Sequence, residues 1–230
     1  MLTLAIDTST KTGSVALLGK DSVLAECLIN VGINHSETIL PAVEKILSIT
    51  GAKVVEIDLF AFTVGPGSFT GLRIGAGTVK GFALATGKPV AGVSAMDALA
   101  LNVANSTITI CPMLNAGKKE IYTALYRPSR SGMPEKIRGE RVVNPEEFLN
   151  GLDEEVIFLG DGVRKYAGLI GEILPDKSFF ASHHLQYIKA SAVGFIGVKK
   201  FSEGDTLDLI TFTPQYLRLS EAEEKFRVIG

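Results

Sequence analysis

Two short polar stretches hold the residue types best suited to chemistry. Asp7-Thr8-Ser9-Thr10 follows an apolar run and offers one carboxylate and three hydroxyls. An acid placed there can hold a hydrated divalent cation through water, and hydroxyls can donate to phosphate oxygens. The same residues make an Asx or Ser/Thr turn that shapes a hairpin. Nothing beside them completes a triphosphate site, which favours the turn. The second stretch is Gly65-Pro66-Gly67-Ser68-Phe69-Thr70-Gly71-Leu72-Arg73. Gly65 and Gly67 can take backbone angles closed to other residues, and Pro66 fixes its own φ. Thr70 is expected to cap a following helix, whose free N–H groups would attract an anion. A plain strand-to-helix turn without a ligand fits the same residues.

Other chemistries fail on spacing. The residue four places beyond His35 is Ile39, so no histidine pair shares a helix face, and His183 and His184 are adjacent. With Cys27 and Cys111 far apart, no zinc or iron site is expected. The glycine loop continues to Gly71 instead of giving a dinucleotide fingerprint, and no Gly-Lys-Ser/Thr follows it. Ser68 has no base within reach by sequence, so neither a serine nucleophile nor a protease triad is expected.

The elements that must position these stretches read as follows. Leu2–Ile6, Ser14–Leu18 and Val23–Ile29 form a three-strand meander. A helix from about Ser36 to Thr50 is closed by Gly51, with Ile39, Leu40, Val43, Ile46 and Leu47 at helical spacing and Pro41 near its first turns. Leu59–Val64 is a buried strand leading into the glycine turn, and a helix over 70–86 follows. Pro89–Val93 is a strand, and Ser94 caps a helix to Val103. A second pass starts at Thr107: strands at Thr107–Leu114, Glu120–Tyr126 and Arg138–Val143, then a helix capped by Asn144 with Pro145 first. Glu155–Leu159 runs into Gly160-Asp161-Gly162, with helices over Val163–Ile170 and Ser191–Glu203. The halves look alike, which predicts a duplicated βββαβα fold with a boundary near Ala104–Ser106. Lobes over 1–104 and 105–230 follow, with a C-terminal tail able to pack back on the first.

The glycine pattern beyond the turn needs a physical reason. Gly71 and Gly75 are four apart, as are Gly77 and Gly81. Each interior glycine costs ~1 kcal/mol relative to alanine. Small residues let another backbone approach closely, so this helix is expected to pack tightly against the 36–50 helix or against another subunit.

The whole chain is 230 residues, 46% hydrophobic and 21% charged, with a formal net charge of −2. That balance fits a globular core and offers no global basic field for nucleic acid. The region from Lys118 to Arg141 is the most basic, but Glu120, Glu135 and Glu140 interleave with its cations. No apolar run is long enough to cross a bilayer, and Asp7 interrupts the first one, which reads against a secretory signal. Cys27 and Cys111 read as buried thiols of a reducing compartment.

Ile6-Asp7-Thr8-Ser9, Asn34-His35-Ser36, the Gly65–Arg73 run, Glu120-Ile121-Tyr122, Leu159-Gly160-Asp161-Gly162 and Pro214-Gln215-Tyr216-Leu217-Arg218 together resemble the TsaB (YeaZ) family nearly end to end. The resemblance implies an α/β, two-lobed actin-like or Hsp70-like fold with ribonuclease H-like lobes. It implies a cytoplasmic, non-catalytic scaffold that activates TsaD, with TsaE, in threonylcarbamoyl transfer to an adenosine of tRNAs that read ANN codons. Partners would be TsaD in a heterodimer, or a second copy when the chain is alone, with tRNA reached only through the complex. The expected partner face is His35, Ile39, Val43, Ile46, Leu47, Gly71, Arg73, Gly75, Thr78 and Phe82. Gly75→Leu is expected to break that face without unfolding the chain.

No cofactor is required on this reading. Weak ATP or ADP binding would use Asp7, Thr8, Ser9, Gly67, Ser68, Gly160 and Gly162. The chain departs from the family at Asn115-Ala116-Gly117, where many members resemble Asp-Ala-Arg. An amide there cannot supply the anionic charge that Mg-nucleotide chemistry needs. The competing readings are an actin-fold ATPase or small-molecule kinase built on Asp7, the Gly67 loop and Gly160-Asp161-Gly162, and, third, a direct tRNA binder.

Overall fold

A computed structural model describes residues 1–209, 211–213 and 215–217. Strands β1 (Thr3–Asp7), β2 (Gly13–Leu18) and β3 (Val23–Ile29) form the first meander, followed by α1 (His35–Thr50), β4 (Leu59–Gly65), α2 (Phe69–Thr86), β5 (Val90–Ser94) and α3 (Ala95–Leu101). The second half repeats the sequence of elements. It runs β6 (Thr109–Gly117), β7 (Glu120–Arg127), β8 (Glu135–Val143), α4 (Pro145–Asn150), β9 (Val156–Leu159), α5 (Asp161–Ile173), β10 (Ser178–Phe180) and α6 (Ala190–Ser202).

Each half builds one five-stranded sheet, ordered β3-β2-β1-β4-β5 and β10-β9-β6-β7-β8. In both, the first strand runs antiparallel to the second and parallel to the fourth, and the fourth runs parallel to the fifth. The expected duplication is therefore one of strand order and direction. The short β10 lies outside the expected strands.

Alternation along the strands sorts the core into layers. On β1, β2 and β4, Leu4, Ile6, Val15, Leu17, Phe60 and Phe62 point outward under α1 and α2. The opposite face carries Ala5, Ala16 and Ala61, and it meets α6 in a core shared by both lobes. Small residues on both sides explain the close packing. A Cβ on Gly197 would stand 2.6 Å from that of Ala61, and one on Gly194 would strike Leu18. A third core lies under α4 and α5, around Met113, Phe148, Phe158 and Ile170. The layers thus run α1/α2, first sheet, α3/α6, second sheet, α4/α5. Although α6 falls in the second half of the chain, it covers the first sheet. Ser14 Oγ donates to the Ile188 carbonyl at 3.0 Å, and Ser191 N donates to Glu26 at 2.7 Å, where that crossing begins.

The expected caps held at two helix starts. Ser94 Oγ accepts from Met96 and Asp97, and Asn144 Oδ1 from Glu146 and Glu147, with Pro145 in the first turn. Two expectations need correction. The cap of α2 is Ser68, whose Oγ accepts from Gly71 N at 3.2 Å, so Thr70 is already helical. Pro41 lies inside α1, past its first turn, where the carbonyl four residues earlier loses a backbone donor. The C-terminal tail expected to pack back on the first lobe lies, beyond residue 217, outside the described residues. Cys27 is half-buried, and Cys111 is buried, its thiol pushed up to about 12 mainly by desolvation. No helix of the described residues is long and apolar enough to cross a membrane.

Candidate functional site: an interlobe cleft and an apolar helical face

The C-terminal ends of β1, β4, β6 and β9 meet at a cleft of about 350 Å³ between the lobes. Ser9, Thr10, Lys11, Gly67, Ser68 and Phe69 line one side. Leu114 to Lys118, Tyr122 and Asp161 line the other, and Gln215, Tyr216 and Leu217 close one edge.

The cleft brings together the two polar stretches, but it spends most of their side chains on structure. Asp7 is 1% exposed. Its Oδ1 accepts from Ser9 N at 3.0 Å, Ser9 Oγ at 2.6 Å and Thr63 Oγ1 at 2.6 Å. Oδ2 is buried without a hydrogen-bond partner. Burial pushes the Asp7 pKa up, against the opposing pull of those donors. Thr8 Oγ1 donates to the Gly71 carbonyl at 2.8 Å, and the Ser9 carbonyl accepts from Ser68 N at 2.7 Å. The Asp7-Thr8-Ser9 turn is therefore a clamp joining β1, β4 and the start of α2. Thr63, which completes it, carried no sequence signal beyond being a threonine in an apolar strand.

That clamp also accounts for three of the glycines. A Cβ on Gly67 would run into the Ser9 carbonyl, one on Gly71 into the Thr8 carbonyl, and one on Gly75 would lie 2.5 Å from Thr8 Oγ1. Gly71 and Gly75 thus face the chain's own β1–β2 turn, and Gly75→Leu would fail by unfolding that junction. Gly77 and Gly81 have no neighbour within 4 Å of a built Cβ and are exposed. The second lobe repeats the device. Gly160, at φ 112°, and Gly162 press against the Met113 carbonyl. Asp161 Oδ1 accepts from Asn115 N at 2.9 Å, and Lys165 donates to Asn115 Oδ1 at 3.2 Å. Asp161 stays exposed at the mouth of the cleft, yet the protein crowded beside its carboxyl pushes its pKa up by desolvation.

The expected partner face also needs redrawing. Ile39, Val43, Ile46 and Leu47 are buried in the lobe's own outer core, because α1 turns that stripe onto the sheet. His35 Nε2 lies 2.6 Å from the Thr10 carbonyl and ties α1 to the cleft turn. Thr78 Oγ1 donates back to Ile74. Arg73 stays exposed and lies over Phe69 at 3.9 Å. Phe82 is half-buried and stacks on Phe60 at 5.8 Å between centroids. What α1, α2 and their neighbours leave open is a different apolar set: Leu40 at 52%, Ile49 at 62%, Val55 at 68% and Leu84 at 76% exposure. Between the two helices lies a groove of about 530 Å³ lined by Leu40, Val43, Leu47, Ala52, Val54 and Phe82.

On the far side of α3, Tyr126 donates to Asp97 at 2.6 Å, and Lys136 bridges Asp97 and Glu140 at 2.8 Å each. Ser94 donates to Glu140 as well. Glu140 and Lys136, part of the mixed-charge stretch in the sequence, here bind the lobes together.

Two sheets of one strand order, their matching turns facing across a cleft, define the two-lobed actin-like class. A family model described as TsaD, tRNA N6-adenosine threonylcarbamoyltransferase, matches residues 30–226. The chain is 32% identical to the tRNA threonylcarbamoyladenosine biosynthesis protein TsaB of Bacillus subtilis, over 98% of each chain. It is also 32% identical to the protein of that name from Escherichia coli, again over 98% of each. The solved YeaZ of Pseudomonas aeruginosa superposes with a TM-score of 0.81 at 28% identity, covering 94% of this chain and 99% of that one. The chain belongs to the TsaB (YeaZ) family.

Proposed function

We propose that this protein is a non-catalytic scaffold of tRNA threonylcarbamoyladenosine biosynthesis, working in the cytoplasm and docking a TsaD homologue through the α1–α2 face. A TsaE homologue joins that complex, and tRNA is reached only through it. The observation that carries the reading is the apolar groove between α1 and α2, with Leu40 exposed on its wall and Leu84 exposed elsewhere on α2. An apolar groove left open between helices commonly marks an interface. The same face would hold a second copy when the chain is alone. The buried and hydrogen-bonded Asp7 and the neutral Asn115 argue against the competing ATPase or kinase reading.

The test is to mix the protein with a TsaD homologue and measure the mass of the complex by light scattering. Leu40→Glu and Leu84→Glu should abolish the complex while leaving the unfolding midpoint of the chain unchanged. A complex of undiminished affinity with both variants would place the interface elsewhere. Steady ATP turnover by the isolated protein would overturn the scaffold reading itself.

A further inference from the structure

We infer that a polar latch at the start of α3 holds the two lobes at one angle, and that its release lets them turn about the two chain crossings. The crossings form the pivot. The chain passes between the lobes over residues 102–109 and again over 185–190. Asn102 Nδ2 ties the crossings together, donating to the Leu185 carbonyl at 3.0 Å and the Tyr187 carbonyl at 2.7 Å. Around this pivot the shared core meets largely through small apolar side chains, among them Ala95, Ala98 and Ala100 of α3 and Ala124 of β7. Apolar contact has no preferred direction, and packed layers of this kind slide over one another. Holding a single angle takes directional contacts as well.

Ser94 and Asp97 supply them from the first lobe. Asp97 Oδ1 accepts from the Tyr126 hydroxyl at 2.6 Å and from Lys136 Nζ at 2.8 Å, both on the second lobe. Ser94 caps α3 and also donates to Glu140 Oε1, which accepts from Lys136 at 2.8 Å. Lys136 is thus a cation shared by carboxylates of opposite lobes. The Glu140 side chain is only 7% exposed, and its Oε2 is buried without a hydrogen-bond partner. A carboxylate so placed depends on its cation, and removing Lys136 would leave two acids facing one another across the seam. Packing does not duplicate the latch. A cavity of about 600 Å³ opens between Tyr126 and Lys136 on one side and Ile196, Lys199 and Lys200 of α6 on the other. The lobes therefore have room to move there once the bridge is gone. Because the cleft walls come from both lobes, the same latch fixes the width of the cleft. This inference is independent of the docking face on α1 and α2.

Pulsed electron paramagnetic resonance between one spin label on each lobe tests it. The labels go on Lys20→Cys in the β2–β3 turn and Glu172→Cys on α5, both exposed, in a Cys27→Ala background. Cys111 is buried and stays unlabelled. Labelled protein is diluted into unlabelled protein, so that the distances measured lie within one chain. With the latch intact the distance distribution should be single and narrow. Lys136→Met should widen it about twofold or more, the signature of lobes free to turn. Tyr126→Phe, which deletes one bond and keeps the ring, should widen it less. Lys177→Met, which removes an exposed ion pair with Asp153 inside the second lobe, should leave it unchanged. If circular dichroism shows Lys136→Met unfolded, adding Glu140→Gln removes the stranded acid, and that double variant should fold with the same widening. A broad distribution with the latch intact would overturn the inference. So would an unchanged width in Tyr126→Phe together with whichever Lys136 variant folds.

Discussion

In the first lobe the helix after the meander runs from His35 to Thr50, whereas its counterpart in the second covers only Pro145–Asn150. The next helices differ in dress. Leu84 of α2 stands open to solvent, while the exposed residues of α5 include Arg164, Lys165 and Glu172, and its apolar Val163 and Ile170 face inward. One strand order thus supports two surfaces. The first lobe spends more chain on its outer layer than its own core needs. A duplicated fold can keep a common frame and specialise one copy for contact, because outward helix positions are free of the packing that fixes the sheets.

The largest effect expected from breaking this comparison is on the frame itself. Gly67→Ala in the first lobe meets the Ser9 carbonyl, and Gly160→Ala in the second meets the Met113 carbonyl at an unfavourable φ. Each should cost about 3 kcal/mol or more, since backbone cannot yield as a side chain can. Urea unfolding would show this as a matching drop in midpoint for the two. A midpoint unmoved in either lobe would mean that the two turns are not equivalent.

Next come the outer surfaces. Leu84→Glu should remove about 2 kcal/mol or more of the affinity for a TsaD homologue, as expected of an interface anchor. Glu172→Lys on the corresponding α5 should leave that affinity unchanged. Equal losses from both would erase the distinction between the lobes. Within α2, Gly77→Ala should raise stability by ~1 kcal/mol, since its built Cβ meets nothing, while Gly75→Ala should lower it. Thermal unfolding of the pair separates the outward glycines from the inward ones.

The frame was legible in the sequence because it is written in strong local signals. Apolar runs, the caps at Ser94 and Asn144, and the αL closure at Gly51 each act within a few residues. The site was less so. The glycines at 67, 71 and 75 announced a close approach, but not to what. The answer, the Ser9 and Thr8 backbone and the Thr8 hydroxyl, lies more than fifty residues away in sequence. The Ile39, Val43, Ile46 and Leu47 stripe was readable as apolar, yet periodicity does not distinguish a face turned to the chain's own sheet from one turned to a partner. The exposed Leu40, Ile49 and Leu84 fall off that stripe, and it was the leftover positions that held the surface signal. The seam of Asp97, Tyr126, Lys136 and Glu140 joins α3 to β7 and β8, and no spacing rule links them.

The smallest effect expected concerns the two matching turn residues, Asp7 and Asn115. Only the first can titrate, and burial raises its pKa from the ordinary 3.8 in the folded state. A carboxyl raised on folding contributes stability that is fully present below its unfolded pKa and is lost as pH rises through the folded value. The wild type should therefore lose stability relative to Asp7→Asn as pH climbs from about 4 toward neutrality. The amide oxygen of the variant can keep the bonds from Ser9 and Thr63, so the clamp survives and the comparison stays one of charge. The stability difference between the two proteins, followed by urea unfolding across that pH range, should slope in this direction. A flat difference would mean that Asp7 titrates as it does in the unfolded chain, and that its hydrogen bonds offset the whole cost of burial. The first lobe's turn would then be as indifferent to pH as the second lobe's amide.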